Sequence, residues 1–287
     1  MLELHFPTLV TAANSKSVLR LCSRAIRRVD PQVTFDLSKA GFITPFGVTA
    51  IAGAIAKCVA RGKQVFYQRP AKDDVEAWLS SISFSRLFQI DEMSQAARDT
   101  SIELRRLMAL NPIYVEDLVN LLDYNMNLSP GVRDSIKLSL QELLTNVFDH
   151  SGSEIGCFVC AQFTPKSQLI RLSVTDFGIG ILNSLRKVKE YSTVIRTSHE
   201  AITRAVEEGV SSRKGKAGLG LSHIRRFARV NQGTLTVISG DGKVNFYSKS
   251  LERRPMPSRF NGTAIELRIN ADREGFYFLK SEEEFIF

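Results

Sequence analysis

An apolar helix pattern over residues 141–150 is interrupted by a carboxylate, Glu142, and a carboxamide, Asn146. Residues four apart lie on the same face of an α-helix, so these two polar side chains point into the same space. If that face is buried, the two groups need polar partners there. A metal-bound polyphosphate with an attacking nucleophile would supply them. The alternative is an ordinary amphipathic helix whose two polar residues are solvated.

A predicted strand that ends in a glycine turn is the second informative element. Apolar and polar residues alternate from Leu169 to Val174, which is typical of a strand. Asp176 follows, and then Gly178 and Gly180 let the backbone turn tightly and approach a ligand closely. Asp176 could accept a hydrogen bond from an exocyclic amine such as that of adenine. The alternative is a strand-end turn in which the aspartate caps a helix.

A glycine cluster over residues 213–221 precedes another apolar helix pattern. A glycine-rich loop that opens a helix presents free N–H groups to phosphate, and Lys214 and Lys216 add positive charge. The residue order is neither that of a Walker loop nor that of a dinucleotide-binding fingerprint. A fourth element, residues 261–269, starts with an Asn-Gly-Thr sequence that ends at Thr263 and continues as a predicted strand.

These four elements, in this order over residues 131–270, resemble the Bergerat-fold ATPases. That superfamily includes gyrase B, the ninety-kilodalton heat-shock chaperone, histidine kinases and the mismatch-repair ATPase MutL. Within it the chain is most similar to the anti-sigma-factor serine kinases, which carry a Glu-x-x-x-Asn-x-x-x-His helix, an Asp-x-Gly-x-Gly turn and a Gly-Leu-Gly-Leu sequence. The matching residues here are Glu142, Asn146 and His150; Asp176, Gly178 and Gly180; and Gly218, Leu219, Gly220 and Leu221.

The resemblance implies that the chain binds ATP and Mg²⁺. Asn146 would hold Mg²⁺ against the triphosphate, and Glu142 would act as general base on the attacking hydroxyl or water. Asp176 would recognise adenine, with Thr263 helping through a water. Gly218 and Gly220 would form the hinge and phosphate cradle of a lid, expected over residues 183–212. The other predicted cofactor-binding residues are Asp149, His150, Gly178, Gly180, Lys214, Lys216, Leu219 and Leu221.

The positions of the histidines argue against autophosphorylation on histidine. Histidine kinases carry a phosphoacceptor histidine on a helical hairpin just upstream of the ATPase domain. This sequence has no histidine between about residues 90 and 140. We expect His150 to cap or orient the site, and His199 and His223 to lie at the surface or at helix ends.

The first ninety residues are predicted to form a separate unit. Residues 33–37 and 64–67 are predicted strands, and residues 45–60 between them are a predicted helix that begins with a proline. This is a βαβ unit with a right-handed crossover. Residues 33–51 resemble the STAS domain of anti-sigma-factor antagonists, and the residues that match are Phe42, Ile43, Gly47 and Val48.

The sequence departs from the STAS pattern at the switch itself. Thr44, Pro45 and Phe46 stand where STAS domains have Asp-Ser-Ser, so the phosphorylatable serine is missing. We therefore predict that residues 1–90 are not a substrate of their own ATPase domain. They would instead dock on it or on a second subunit, with the start of the helix at Pro45–Val48 in the contact.

Composition and charge limit the remaining function classes. The chain has 287 residues, of which 44% are hydrophobic and 24% charged, as in ordinary globular proteins. It has no apolar run near the ~20 residues of a membrane helix and no signal peptide, so we expect a cytoplasmic protein without membrane contact. The net charge of +8 permits nucleic-acid contact. The basic residues are scattered, however, and no aromatic residues interleave them, so nucleic acid is the less favoured partner.

Three short segments need separate predictions. Cys157 and Cys160 have redox spacing, but residues three apart in a strand face opposite sides, so we predict buried thiols. The Gly-Asp-Gly sequence at residues 240–242 predicts a hairpin turn. Residues 249–260 are predicted to be a basic, proline-containing loop.

The sequence thus predicts an α/β (α+β) protein. We expect a STAS-like α/β domain at 1–90, a helical connector at 91–130, a Bergerat-fold α/β sandwich at 131–270 and a tail at 271–287. The leading function is that of an ATP-dependent serine/threonine protein kinase or partner-switching regulator. It would have a sigma-factor-like or antagonist-like partner and could form a homodimer. The alternatives are an ATPase whose lid closure drives dimerisation or partner exchange, and a module that holds nucleotide without turnover.

Overall fold

The computed structural model describes residues 1–88, 100–207 and 220–271. These residues form a parallel sheet at the N-terminal end and a larger antiparallel sheet beyond it. Helices lie between the sheets and on the far side of the larger one. The mixed α/β class predicted from the sequence is confirmed.

The N-terminal unit contains the predicted βαβ crossover. Its three-stranded sheet is parallel, in the order β1–β3–β5, and two very short strands, β2 and β4, pair beside it. The predicted helix begins at Pro45 and ends at Ala60, as expected. The elements are β1 (Leu2–His5), β2 (Leu9–Val10), α1 (Ser15–Arg27), β3 (Gln32–Asp36), β4 (Phe42–Ile43), α2 (Pro45–Ala60), β5 (Gln64–Gln68), α3 (Asp73–Ser81) and a 3₁₀ helix (Phe84–Phe88).

The larger sheet has five antiparallel strands in the order β6–β7–β8–β10–β9. Helices α4, α5 and α9 pack on one face of it and share an apolar core with its strands. The elements are β6 (Ser101–Leu107), α4 (Pro112–Met126), α5 (Pro130–His150), β7 (Cys157–Thr164), β8 (Leu169–Asp176), α6 (Ile181–Leu185), α7 (Lys189–Ser192), α8 (Ser198–Ala205), α9 (Gly220–Val230), β9 (Thr234–Phe246) and β10 (Leu251–Asn270).

Local sequence signals explain where the helices begin. The side chain of Ser129 accepts a hydrogen bond from the Val132 backbone N–H (3.4 Å), and proline occupies the first turn of α5. Helix α8 starts with a capping box in which Thr197 and Glu200 satisfy each other's backbone N–H groups. The long helix α5 therefore has a fixed starting point, which sets the direction of every side chain along it.

Helix α2 covers the second face of the five-stranded sheet. Side chains from α2 belong to the same apolar core as Phe158, Phe177 and Phe260 of the larger sheet and its loops. Gly53 allows the closest approach, because a Cβ atom there would lie 2.0 Å from the Phe177 ring. The N-terminal unit is therefore packed onto the larger sheet through the helix that was predicted to make a contact.

Hydrogen bonds of hydroxyl groups also connect α2 with the larger sheet. The Thr49 hydroxyl lies 3.0 Å from that of Ser173 and 2.9 Å from that of Thr175. At the start of α2, the Thr44 hydroxyl donates to the carboxyl group of Glu266 (3.2 Å). Thr44 is 2% exposed, so in this arrangement its hydroxyl is enclosed by protein.

Three predictions about individual segments are corrected by the structure. The stretch predicted as a helical connector contains strand β6, which pairs with β7 at one edge of the larger sheet. The predicted hairpin at 240–242 does not form, because β9 runs through these residues. Residues 251–260, predicted as a loop, belong to β10. A Cβ atom at Gly240 would lie 2.4 Å from the Ser198 hydroxyl, so the absence of a side chain there serves packing of α8 on the strand.

The predicted buried thiols are confirmed. All four cysteines are free and buried, and burial raises the pKa of Cys157 to about 12 and that of Cys58 to about 11. Such thiols are poor nucleophiles and poor metal ligands at neutral pH. Among the helices that the structure describes, none is both long and apolar enough to cross a membrane.

We predict that Gly53→Ala destabilises the protein because the added methyl group collides with Phe177. The collision should cost about 1–3 kcal/mol, and alanine gains up to ~1 kcal/mol over glycine within a helix. The free energy of unfolding should therefore fall by up to about 2 kcal/mol. Gly131→Ala is the matched control, since Gly131 is an exposed helical residue of α5. Urea unfolding should separate the two variants. Equal stability of Gly53→Ala and Gly131→Ala would contradict the close packing.

Candidate functional site

A cavity opens between α5, the turn that follows β8, α6 and the middle of β10. Its volume is about 720 Å³ when its open mouth is included. The residues that line it are Leu143, Asn146, Val147, His150, Ser151, Asp176, Gly180, Ile181, Ser184, Leu185, Ala205, Leu221, Thr263 and Ile265.

Asp176 is the charged group in the wall of this cavity. It is the last residue of β8, between Cys157 of β7 and Thr263 of β10 in the sheet register, and it is 2% exposed. Its carboxylate accepts a hydrogen bond from the Gly178 N–H (2.8 Å) and further bonds from Thr263. Burial raises the pKa of Asp176 to about 6, although these hydrogen bonds lower it. A buried carboxylate that faces a cavity is suited to a ligand that donates hydrogen bonds.

The glycines after Asp176 allow the chain to pass through crowded space. A Cβ atom at Gly178 would lie 1.9 Å from the Ser151 carbonyl oxygen. Gly180 has a φ of +77°, and a Cβ atom there would lie 2.7 Å from the Ser239 hydroxyl. Gly180 lines the cavity, whereas Gly178 faces a second cavity on the other side of the turn. Sequence reasoning missed Ser239, which accepts from the Ile181 N–H and donates to the Gly262 carbonyl (2.9 Å each).

Only some of the site residues predicted on helix α5 line the cavity. Asn146 and His150 line it, one helical turn apart. Glu142 lies one further turn toward the start of α5 and is half-buried, but it is outside the lining. Asp149 is exposed and does not line the cavity. The structure thus places Glu142 beside the cavity and leaves Asp149 at the surface.

The glycine cluster near residue 220 is described only at its end. Lys214, Lys216, Gly218 and Leu219 lie outside the described residues. Gly220 is the first residue of α9, and Leu221 lines the cavity.

The residues that form the cavity wall opposite α5 were not predicted from the sequence. This wall comes from the segment expected to form a lid, where α6 and α8 contribute Ser184, Leu185 and Ala205. An apolar pair, Ile181 and Leu185, is spaced four residues apart directly after the glycine turn. That spacing was the available signal for a helix facing the site.

Comparison with protein families agrees with this geometry. Residues 131–273 match the family model described as histidine kinase-, DNA gyrase B-, and HSP90-like ATPase. Residues 131–273 are a domain of this ATPase family. Domains of this family bind ATP, generally together with Mg²⁺. No curated protein matches the chain by sequence.

The residues present fit ATP with Mg²⁺. Asp176 offers a buried acceptor for an amine, and Asn146 offers an amide oxygen on the same cavity wall as His150. Mg²⁺ is usually held by one or two protein oxygens together with substrate phosphates and waters, so a complete protein cage is unnecessary. Among the described residues, the single group of three or more potential metal ligands is Glu3, His5 and Asp36, in the N-terminal unit. A metal at the cavity would therefore depend on Asn146 and the phosphates.

We predict that Asp176→Asn weakens ATP binding. The amide retains the shape of the carboxyl group but loses its charge and presents a donor in place of an acceptor. Loss of one charge-assisted hydrogen bond should cost about 1.5–3 kcal/mol, or roughly 10- to 150-fold in Kd. Calorimetric titration with ATP measures this. Asp134→Asn, at an exposed position of α5, should bind as the wild type does. Unchanged affinity in Asp176→Asn would remove Asp176 from the nucleotide site.

The raised pKa of Asp176 predicts a pH dependence of ATP affinity. If the ionised carboxylate accepts from the ligand, affinity is full above the pKa of about 6 and falls as pH drops below it. The expected slope is about tenfold per pH unit below 6. His150 lines the same cavity, so the contribution of Asp176 is the difference between wild type and Asp176→Asn across pH 5–8. Parallel profiles for the two proteins would contradict the assignment.

Proposed function

We propose that this chain is an ATP-dependent serine/threonine protein kinase that modifies a regulatory partner protein, in the manner of anti-sigma-factor kinases. The observation that carries the proposal is the buried carboxylate of Asp176 in a cavity shared with Asn146 of α5. The carboxylate of Asp176 can accept a hydrogen bond from an amine, and Asn146 adds a polar group on the face of α5. A nucleotide has complementary groups, because its base carries an amine and its phosphates bind a metal ion.

The residues of α5 have distinct roles in this proposal. Asn146 would hold a Mg²⁺ ion, which would supply charge neutralisation for the phosphates. Glu142 lies four residues away, about 6 Å along the helix axis, where an acceptor hydroxyl can approach from outside the cavity. Glu142 takes the proton of that hydroxyl as its oxygen bonds to the γ-phosphorus of ATP. The bond from the γ-phosphorus to the bridging oxygen breaks, and ADP leaves. Phosphoryl transfer requires mainly positioning and charge neutralisation, so these groups are sufficient.

The acceptor in this proposal is a separate protein. Thr44, the hydroxyl nearest the switch position of STAS-like domains, is buried and bonded to Glu266. Phosphate on Thr44 would place two negative charges against a buried carboxyl group, which electrostatics strongly disfavours. The packing of α2 on the larger sheet therefore supports a docking role for the N-terminal unit and an acceptor in a partner of the antagonist or sigma-factor class.

A second candidate function is ATP hydrolysis that drives partner exchange through a lid. It is supported by the cavity wall formed by α6 and α8, because a ligand enclosed there would contact a segment outside the sheet. The two candidates differ only in the nucleophile, which is a protein hydroxyl in one and water in the other.

One experiment separates the candidates. The full chain is incubated with γ-labelled ATP and Mg²⁺, alone and with candidate antagonist and sigma-factor-class proteins. Labelled partner protein supports the kinase. Free phosphate that is independent of the partner supports the ATPase. Binding without either product would refute both candidates and leave a nucleotide-holding module.

We predict that Glu142→Ala and Asn146→Ala fail at different steps. Glu142→Ala should bind ATP with nearly wild-type affinity and lose at least about 100-fold in turnover, since the base acts on the nucleophile. Asn146→Ala should also lose the Mg²⁺-dependent part of ATP binding. Asp134→Ala, an exposed substitution on the same helix, is the control. Titrations with and without Mg²⁺, together with turnover rates, distinguish the two variants. Full turnover in Glu142→Ala would exclude it as the base.

A further inference from the structure

A second cavity lies between the N-terminal unit and the turn that follows Asp176. Helices α1 and α2 form one wall, and the turn with Phe177 and Gly178 forms the other. Its volume, open mouth included, is about 910 Å³. It is distinct from the nucleotide cavity, because none of the residues lining one lines the other. The two cavities lie on opposite sides of the same short turn.

Three basic side chains line this second cavity. Arg27 comes from the end of α1, Lys57 from the last turn of α2, and Arg61 from the residue that follows α2. The described lining residues include no carboxylate, and the polar side chains that complete the wall, such as Asn183 and Asn261, are uncharged. The cavity therefore carries a concentrated positive charge, which attracts an anion.

These three basic side chains still have hydrogen-bond donors for a ligand. Arg27 donates to the Arg259 carbonyl oxygen (3.0 Å), and Arg61 donates to the Ile26 carbonyl oxygen (2.7 Å). A guanidinium group has five N–H donors, so a single carbonyl contact leaves most of them for other acceptors. The described contacts also hold each guanidinium group in place without neutralising its charge. Lys57 pairs only loosely with Glu154 (3.8 Å), whose side chain is 90% exposed.

The amount of charge indicates the kind of anion. One phosphate monoester carries about −1.5 to −2 at neutral pH, which is less than three cations can compensate. Two phosphate groups match better, and arginine binds phosphate oxygens through paired N–H groups. Phe177 and Phe260 add an apolar surface at one side of the cavity. A small molecule with a diphosphate group has this combination of charge and size.

We propose that this basic cavity is a second ligand site, which binds a diphosphate-bearing small molecule and is coupled to the nucleotide cavity through Phe177 and Gly178. Gly178 lines the basic cavity while its N–H holds the Asp176 carboxylate on the other side of the turn. A ligand that moves or fixes this turn changes the position of Asp176. The coupling rests on the proposed ATP site, whereas the anion site itself does not.

The test uses the full chain with inorganic pyrophosphate as the probe. The chain is first saturated with a non-hydrolysable ATP analogue at fixed free Mg²⁺, and pyrophosphate is then titrated by calorimetry. We expect one further binding event. Its Kd should rise about tenfold in Arg27→Gln and in Arg61→Gln, from loss of one charge-assisted contact each. Arg24→Gln, an exposed arginine of α1 outside the cavity lining, should bind as the wild type does.

The outcomes separate this proposal from the proposed function. No second binding event, or equal affinity in all three variants, would overturn the anion site while leaving ATP binding intact. If the chain binds no ATP analogue but binds pyrophosphate in a manner sensitive to Arg27 and Arg61, the proposed function fails and the anion site stands. Coupling requires pyrophosphate and the analogue to change each other's Kd by the same factor. Independent affinities would remove the coupling. Circular dichroism of each variant checks the fold.

Discussion

The packing of helix α2 between the two sheets is the constraint on which the rest of the structure depends. A helix enclosed on nearly all sides cannot present large residues everywhere, because the two sheets must both come close to it. Its sequence meets that requirement with small residues such as Gly47, Ala50 and Gly53, which are buried together with larger Phe46 and Ile51. The apolar character around the whole helix, rather than along one stripe, is what an enclosed helix requires. The N-terminal unit and the ATPase domain thus share one core.

Polar groups fix the orientation of that packing. Lys243 of β9 is 5% exposed and donates to the Ala12 carbonyl oxygen (2.6 Å) and to Ser15 (3.2 Å), both in the N-terminal unit. Burial lowers the pKa of Lys243, and burial raises the pKa of Glu266, which accepts from Thr44. A buried charge that loses its hydrogen-bond partner is strongly destabilising. These pairs therefore oppose any sliding of α2 along the sheet more effectively than apolar contacts alone.

Polar residues that interrupt an apolar pattern predicted that Asn146 and Asp176 lie together, as they do in one cavity, whereas prediction failed where packing decides. Asn146 and Asp176 were predictable because an amide and a carboxylate within buried elements need partners. The glycines at 240–242 were misread because a glycine that makes a turn and a glycine that admits a neighbouring helix look the same in one sequence. Strand β6 was missed because its pairing partner, β7, lies some fifty residues away in the chain. The expected contact of Glu142 with the cavity depended on helix rotation, which only tertiary packing fixes.

Asp176 connects the stability of the fold with the cavity that it lines. Its pKa in the folded protein is about 6, above the ordinary value of 3.8, so the folded state binds the proton more tightly than the unfolded chain does. The free energy of unfolding should therefore rise as pH falls from about 7 toward 4, and the ionised carboxylate costs about 3 kcal/mol at neutral pH. A ligand that donates a hydrogen bond to this carboxylate offsets part of that cost. The Gly178 N–H already offsets some of it from the adjacent turn, and the same turn is held by Phe177 against α2. A change in how α2 packs against Phe177 would therefore reach the environment of the carboxylate through this turn. The proposed coupling between the N-terminal unit and the nucleotide site therefore needs only three consecutive residues, 176–178, without a long chain of intermediates between them.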